Sequence, residues 1–124
     1  MKIERPNKQQ GLGRLVRALA YSWQGVRSAW IEERAFREEI ALAVVVVPAG
    51  FHFGRSGLER AALIAPMFLV LIVELLNSAL EALVDRGGLA RDRLAAMAKD
   101  MGSAAVLLSL GSLLLVWVLV MSDR

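Results

Sequence analysis

Polar side chains interrupt an otherwise apolar stretch between Val73 and Val106, at intervals that suit a helix. Counted from Glu74, Asn77, Ser78, Glu81 and Asp85 lie three, four, seven and eleven residues on, so a helix places all five on one face. Ile72, Leu76, Leu80 and Leu83 are left for lipid or for packing. A carboxylate at a bilayer centre costs about 2.5–3.5 kcal/mol and less near the interface, so such a ladder needs a purpose. Carboxylates suit a hard cation such as Mg²⁺, which takes oxygen ligands and often binds through one or two carboxylates plus phosphates. Glu33 and Glu81 could share one if the fold brings them to a common level. Lys99 is a natural phosphate contact, and Asn77 and Asp100 could orient the site. Glu74 lies seven residues from Glu81, about 10 Å deeper at the helical rise. Partial desolvation there makes a carboxylate a stronger base. A base inside the lipid boundary, beneath a metal–phosphate site at the water boundary, would join a lipid hydroxyl to a water-soluble phosphate donor. Phosphoryl transfer needs mainly positioning and charge neutralisation, which these groups supply.

The elements that must hold these residues are apolar. The chain has 124 residues, room for a single domain, and is 56% hydrophobic with mean hydropathy +0.50. A small soluble protein has too much surface to hide that share of apolar side chains. The expected class is an all-α integral membrane protein. Cysteine is absent, which excludes disulfides, thiolate catalysis and cysteine metal sites. The net charge of +3 accompanies no nucleic-acid motif, so anionic lipid headgroups are the expected partner and nucleic acid is not. Met1 to Gln10 is polar, expected to be poorly ordered, and resembles no cleavable signal.

From residue 12 to about 33 the apolar side chains Leu12, Leu15, Val16, Leu19, Trp23, Val26 and Trp30 alternate at three and four. Arg14, Arg17, Gln24, Arg27 and Ser28 occupy the other side, a pattern suited to a helix lying in the membrane surface. Three spans are expected to follow, at about 35–53, 61–84 and 101–121, with Pro48 and Pro66 inside the first two. His52, the single histidine, is assigned no chemistry. Basic residues concentrate in the N-terminal segment (Lys2, Arg5, Lys8, Arg14, Arg17, Arg27, Arg34, Arg37) and in the 85–99 loop (Arg86, Arg91, Arg93, Lys99). Both are therefore expected to be cytoplasmic, with the first loop and the C-terminus outside. That topology puts Glu33, Glu81, Asp85, Lys99 and Asp100 at one level.

No Walker loop is present, and Gly11 and Gly13 lack a third glycine and a preceding strand, so a nucleotide-loop kinase is excluded. Intramembrane carboxylates also mark proton or ion pathways. The small residues Gly102, Ser103, Ala104 and Ala105 also serve helix packing. Residue pattern alone leaves catalysis, conduction and a structural oligomer open.

Four segments carry a resemblance: YSWQGVRSAW (Tyr21–Trp30), AFREE (Ala35–Glu39), VELLNSALEALVDR (Val73–Arg86) and AKDMGSAAVLL (Ala98–Leu108). Together they resemble the prokaryotic diacylglycerol kinases, small membrane enzymes with three spans, over most of Arg14 to Trp117. The resemblance implies a homotrimer in the bacterial inner membrane that phosphorylates diacylglycerol with MgATP, at sites shared between subunits. It implies Glu74 as general base and Glu33 and Glu81 as metal ligands that also face the nucleotide. It places Arg14, Tyr21, Lys99 and Asp100 against nucleotide, and Asn77 and Ser103 on the substrate side. Trp23, Trp30, Ala35, Phe36, Arg37 and Glu39 fall in segments resembling the family's lipid-binding surface. Where the family often carries Glu-x-His in the second loop, this chain has LARDR (Leu89–Arg93), which leaves that loop's adenine contacts unassigned. Related Gram-positive enzymes prefer undecaprenol, the runner-up acceptor; the YSW…AW spacing is closer to the diacylglycerol branch.

Overall fold

A computed structural model describes residues 11–88 and 92–124, all of them helical or in short turns. The polar segment 1–10, with Lys2, Arg5 and Lys8, and the loop residues 89–91, with Arg91, lie outside the described residues. Four helices follow in order: α1 (Gly11–Glu32), α2 (Arg34–Phe53), α3 (Gly57–Arg86) and α4 (Arg93–Ser122).

The turns between them have local causes. Glu33 separates α1 from α2 with an extended backbone, φ −112° and ψ 108°. Ser56 caps α3 by accepting from the Glu59 N–H at 3.1 Å. Gly88 follows α3 with φ +64°, a left-handed conformation that glycine adopts without strain. Asp92 then caps α4 by accepting from the Leu94 N–H at 3.2 Å. This cap starts α4 well before the apolar span at about 101, so Lys99 and Asp100 are helical rather than in a loop.

α3 lies between α2 and α4 and packs on both, while α1 leans on α2 and α3. The core is a stripe of α3 side chains, Met67 and Val70, closed by Leu113 of α4 and flanked by Val46, Val47 and Trp117. Trp117 donates its indole N–H to the Leu63 carbonyl at 3.0 Å, tying α4 to α3 one turn from Pro66.

α3 and α4, each of 30 residues, are long and apolar enough to cross a membrane. Within their most apolar windows only 22% and 11% is buried inside the chain, far less than a soluble core helix would show. Ile72, Leu76, Leu83, Leu107, Leu108 and Leu115 instead point outward. Each helix would be about 45 Å long, beyond the ~30 Å hydrocarbon core, so its ends reach the water boundary. α2 has 20 residues and carries Arg34, Arg37, Glu38 and Glu39 in its first turns. This is an all-helical membrane protein.

Candidate active site

α3 carries one continuous buried stripe: Leu63, Met67, Val70, Glu74 and Ser78. Steps of four, three, four and four keep these residues on the inward side. The stripe turns from apolar to polar at Glu74, whose side chain is almost fully buried at 4% exposure. Half-buried Asn77 and Glu81 continue it towards the C-terminal end of α3, while Asp85 and Arg86 are exposed.

α2 answers with a second carboxylate. Phe36, Glu39 and Gly50 are buried on its inward face, and the Glu39 carboxyl faces that of Glu74 within direct interaction distance. Glu33, at the α1–α2 joint, and Glu81 are both close enough to act electrostatically on Glu74. Four carboxylates from α3, α2 and the joint therefore converge on one region. Three buried polar atoms there have no hydrogen-bond partner among the described residues: Glu39 Oε2, Asn77 Oδ1 and Ser78 Oγ. The Ser78 hydroxyl approaches Glu74 but completes no bond of acceptable geometry. Orphaned buried acceptors are rare in folded proteins and point to a missing ligand, water or partner.

α4 supplies the cation. Lys99 Nζ meets Asp85 Oδ1 at 2.6 Å. That bond holds the Lys99 ammonium above its ordinary range, with the Glu81 charge adding to it, so Lys99 stays charged at the water boundary. Gly102 lies directly against Asn77: a Cβ there would collide with Asn77 Oδ1. Beside the carboxylates, a groove of about 550 Å³ opens between α1 and α3, lined by Ser22, Gly25, Ala29, Glu33, Ser78 and Ala82 among others.

The chain matches the family model described as prokaryotic diacylglycerol kinase over residues 20–121. It is 42% identical over 115 residues to the diacylglycerol kinase of Escherichia coli strain K12, spanning 93% of this chain and 94% of that protein. The Pseudomonas aeruginosa diacylglycerol kinase is 46% identical over 113 residues, spanning 91% and 92%. For the Haemophilus influenzae diacylglycerol kinase the values are 43% over 110 residues, 89% and 93%. The chain belongs to the prokaryotic diacylglycerol kinase family.

The family's segments in this chain do not all converge on one place. Glu33, Glu39, Glu74 and Glu81 come together, with Asn77 and Lys99 on their border. Asp100 and Ser103 lie on the exposed side of α4. Arg14, Tyr21, Trp23 and Trp30 are exposed on α1, and Ala35 is exposed in the first turn of α2. Phe36 is buried in the interior at 2% exposure rather than spread on a surface. The Arg37 guanidinium donates to the Trp30 and Ile31 carbonyls at the end of α1.

Three features were not anticipated from the sequence. Asp85 is the partner of Lys99, and Gly102 is the seat of Asn77. Glu39 meets Glu74 in the interior. The last had a signal: Phe36, Glu39, Ala43, Val46 and Gly50 recur at three and four, so Glu39 shares the packed face of α2.

As metal ligands Glu33 and Glu81 fit a hard divalent ion held jointly with phosphates. Both offer carboxylate oxygens, Glu33 makes no side-chain capping bond to its own helix, and neither is ion-paired among the described residues. Among those residues no three His, Cys, Asp or Glu side chains are placed to hold a metal ion by themselves. Magnesium characteristically binds without one, through one or two carboxylates plus substrate phosphates.

Proposed function

We propose that this chain transfers the γ-phosphoryl group of ATP to the free hydroxyl of diacylglycerol, giving phosphatidic acid and ADP. The observation that carries the reading is the convergence of Glu33, Glu39, Glu74 and Glu81 beside unpartnered polar atoms, inside a membrane chain of this family. Glu74 accepts the hydroxyl proton as the alcohol oxygen attacks the γ-phosphorus and the bond to the ADP oxygen breaks. Its burial excludes the water that would compete as acceptor. Asn77 and Glu39, with unpartnered buried oxygens, orient the alcohol. Lys99 draws the phosphates to the interface as a fixed positive charge. Glu33 and Glu81 would hold Mg²⁺, which when bound would supply neutralisation of the phosphate charge. The apolar groove of about 370 Å³ between α2 and α4, lined by Leu42, Val46, Leu110 and Trp117, suits an acyl chain.

The working assembly in this reading is a homotrimer in the inner membrane, with α2 as the third span and the N-terminus cytoplasmic. The positions of Arg14, Tyr21, Asp100 and Ser103 support shared sites, since these expected nucleotide and substrate contacts are exposed away from their own chain's Glu74. Trp23, Trp30 and Ala35 would border lipid.

The test is direct. Purified protein in lipid vesicles receives MgATP with diacylglycerol or with undecaprenol, and phosphorylated lipid is measured. Phosphatidic acid should form, at a higher rate than undecaprenyl phosphate. Undecaprenol preferred would reassign the acceptor. Phosphorylation of neither would sink the kinase reading and turn attention to proton or ion conduction by the same carboxylates.

A further inference from the structure

Glu33 owes its place to a break in the chain rather than to a helix. α1 stops at Glu32 and α2 starts at Arg34, with Glu33 extended between them. The backbone stays connected across the break: the Glu33 N–H donates to the Ala29 carbonyl at 2.9 Å and the Arg37 N–H to the Glu33 carbonyl at 3.3 Å. The last turn of a helix leaves carbonyls without intrahelical donors. Here a side chain from the next helix meets two of them. Arg37 Nη1 donates to the Trp30 carbonyl at 2.8 Å and to the Ile31 carbonyl at 3.1 Å. Positive charge at a helix C-terminus is favourable, and bonds from a charged donor are stronger than neutral ones.

These bonds fasten the first turn of α2 to the last turn of α1, on either side of the single extended residue. The Glu33 side chain makes no capping bond of its own, so its carboxylate is not held by the start of α2. We infer that Arg37 is a positioning residue, whose bridge to the Trp30 and Ile31 carbonyls fixes the α1–α2 angle and thereby holds the Glu33 carboxylate beside Glu74 and Glu81. The inference rests on the reading of Glu33 as a metal ligand, and it gives Arg37 a task other than contact with a lipid headgroup.

The two tasks separate experimentally. In Arg37→Gln, Mn²⁺ binding in the presence of a non-hydrolysable ATP analogue, followed by water-proton relaxation, should weaken by roughly tenfold, the equivalent of one lost charge-assisted bond. The Mg²⁺ concentration for half-maximal activity should rise in parallel, while the KM for diacylglycerol stays within about twofold. Arg37→Lys, which keeps a charged donor within reach of the carbonyls, should recover part of the Mn²⁺ affinity. The absence of cysteine allows spin labels at Leu19 and Val44, both exposed on α1 and α2. Their distance distribution should broaden in Arg37→Gln. A raised lipid KM with unchanged Mn²⁺ affinity and an unchanged distribution would overturn the inference and make Arg37 a headgroup contact. Glu33→Gln serves as the reference. If it leaves Mn²⁺ binding intact, the ligand reading itself fails and the metal half of the inference with it, whereas the spin-label distances still decide whether the clamp exists.

Discussion

The two halves of the helical bundle are built from the same stripe of α3 but treat polar groups in opposite ways. In the apolar half, towards the N-terminus of α3, Leu63, Met67 and Val70 are fully buried among apolar neighbours. Polar groups there have partners: the Trp117 indole on the Leu63 carbonyl, Arg60 on the Phe51 carbonyl at 3.2 Å, and Arg124 on Glu59 at 3.1 Å. Two turns along the same face Asn77 and Ser78, with Glu39 of α2, hold buried oxygens with no partner among the described residues. An unsatisfied buried acceptor costs about 1–3 kcal/mol, so a chain selected for stability alone would not keep three together. The apolar half holds the helices in register; the polar half gives up part of that stability, as expected of the proposed site awaiting a ligand. Substitutions should therefore damage stability in one half and turnover in the other.

The sharpest break of this contrast is at Glu74. Glu74→Gln removes a proton acceptor while keeping the size and much of the packing of the side chain. Turnover should fall by about 10²–10⁴-fold, the usual contribution of a positioned general base. Binding of a fluorescent ATP analogue should be nearly unchanged. If ATP affinity falls while turnover at saturation survives, Glu74 belongs to the nucleotide or metal shell and the role argued from its burial is wrong. At Glu81, half-buried two turns further along α3, Glu81→Gln should raise the Mg²⁺ requirement by roughly tenfold to a hundredfold, in line with loss of one charged contact. A Mg²⁺ titration that does not move would remove Glu81 from the ligand set.

Met67 tests the other half. It is fully buried in the apolar core, and Met67→Ala should cost at least about 2 kcal/mol of stability. Unfolding in mixed micelles measures that loss, and activity per folded protein should be preserved. A loss of turnover as large as that at Glu74, with little change in stability, would erase the division between the halves.

Much of this division was legible before the fold was known. The three- and four-residue spacing of Glu74, Asn77, Ser78 and Glu81 marked one face, and helical packing preserved it because α3 is central and has a single inward side. The early start of α4 was harder to read. Its N-terminal turns are charged and look like a loop, yet Asp92 supplies the cap that lets the helix begin there. Lys99 and Asp85 meet only because α3 and α4 are antiparallel neighbours, a tertiary fact that no local pattern contains. The outward positions of Asp100 and Ser103 follow from the rotation of α4, which the apolar spacing of that helix hardly defines because nearly every side of it is hydrophobic.

Gly102 sharpens the comparison at the border between α3 and α4. A methyl group there would take the place of Asn77 Oδ1, so Gly102→Ala must push Asn77 out of the site or the helices apart. Overpacking of this kind costs about 1–3 kcal/mol. We expect roughly a fivefold to tenfold rise in the KM for diacylglycerol, with Mg²⁺ dependence unchanged. Steady-state kinetics at several lipid mole fractions would show it. An unchanged lipid KM would place Asn77 outside the substrate contacts.

The smallest effect belongs to the N-terminal end of α3, where Glu59 sits in its first turn, before its apolar run. The Arg55 backbone N–H donates to Glu59 Oε2 at 2.7 Å, and Arg124 reaches the same oxygen. Arg124 also donates to the Phe53 carbonyl, so the last residue of the chain is tied to the α2–α3 turn. The Arg55 N–H first, and Arg124 second, hold the Glu59 carboxyl below its ordinary value of 4.5. A group whose folded value lies below its unfolded one stabilises the fold fully above the unfolded value, and that contribution fades as pH falls through the folded one. Arg124→Gln should therefore lower the thermal midpoint slightly at neutral pH. The gap from the parent should close in acid, once Glu59 is protonated in both proteins. Because the pair is only partly buried, high salt should shrink the gap somewhat as well. Turnover should not move, since none of these groups lies near Glu74. A gap that persists unchanged at low pH would mean that Arg124 acts through the Phe53 carbonyl alone, leaving the carboxylate out of the clasp.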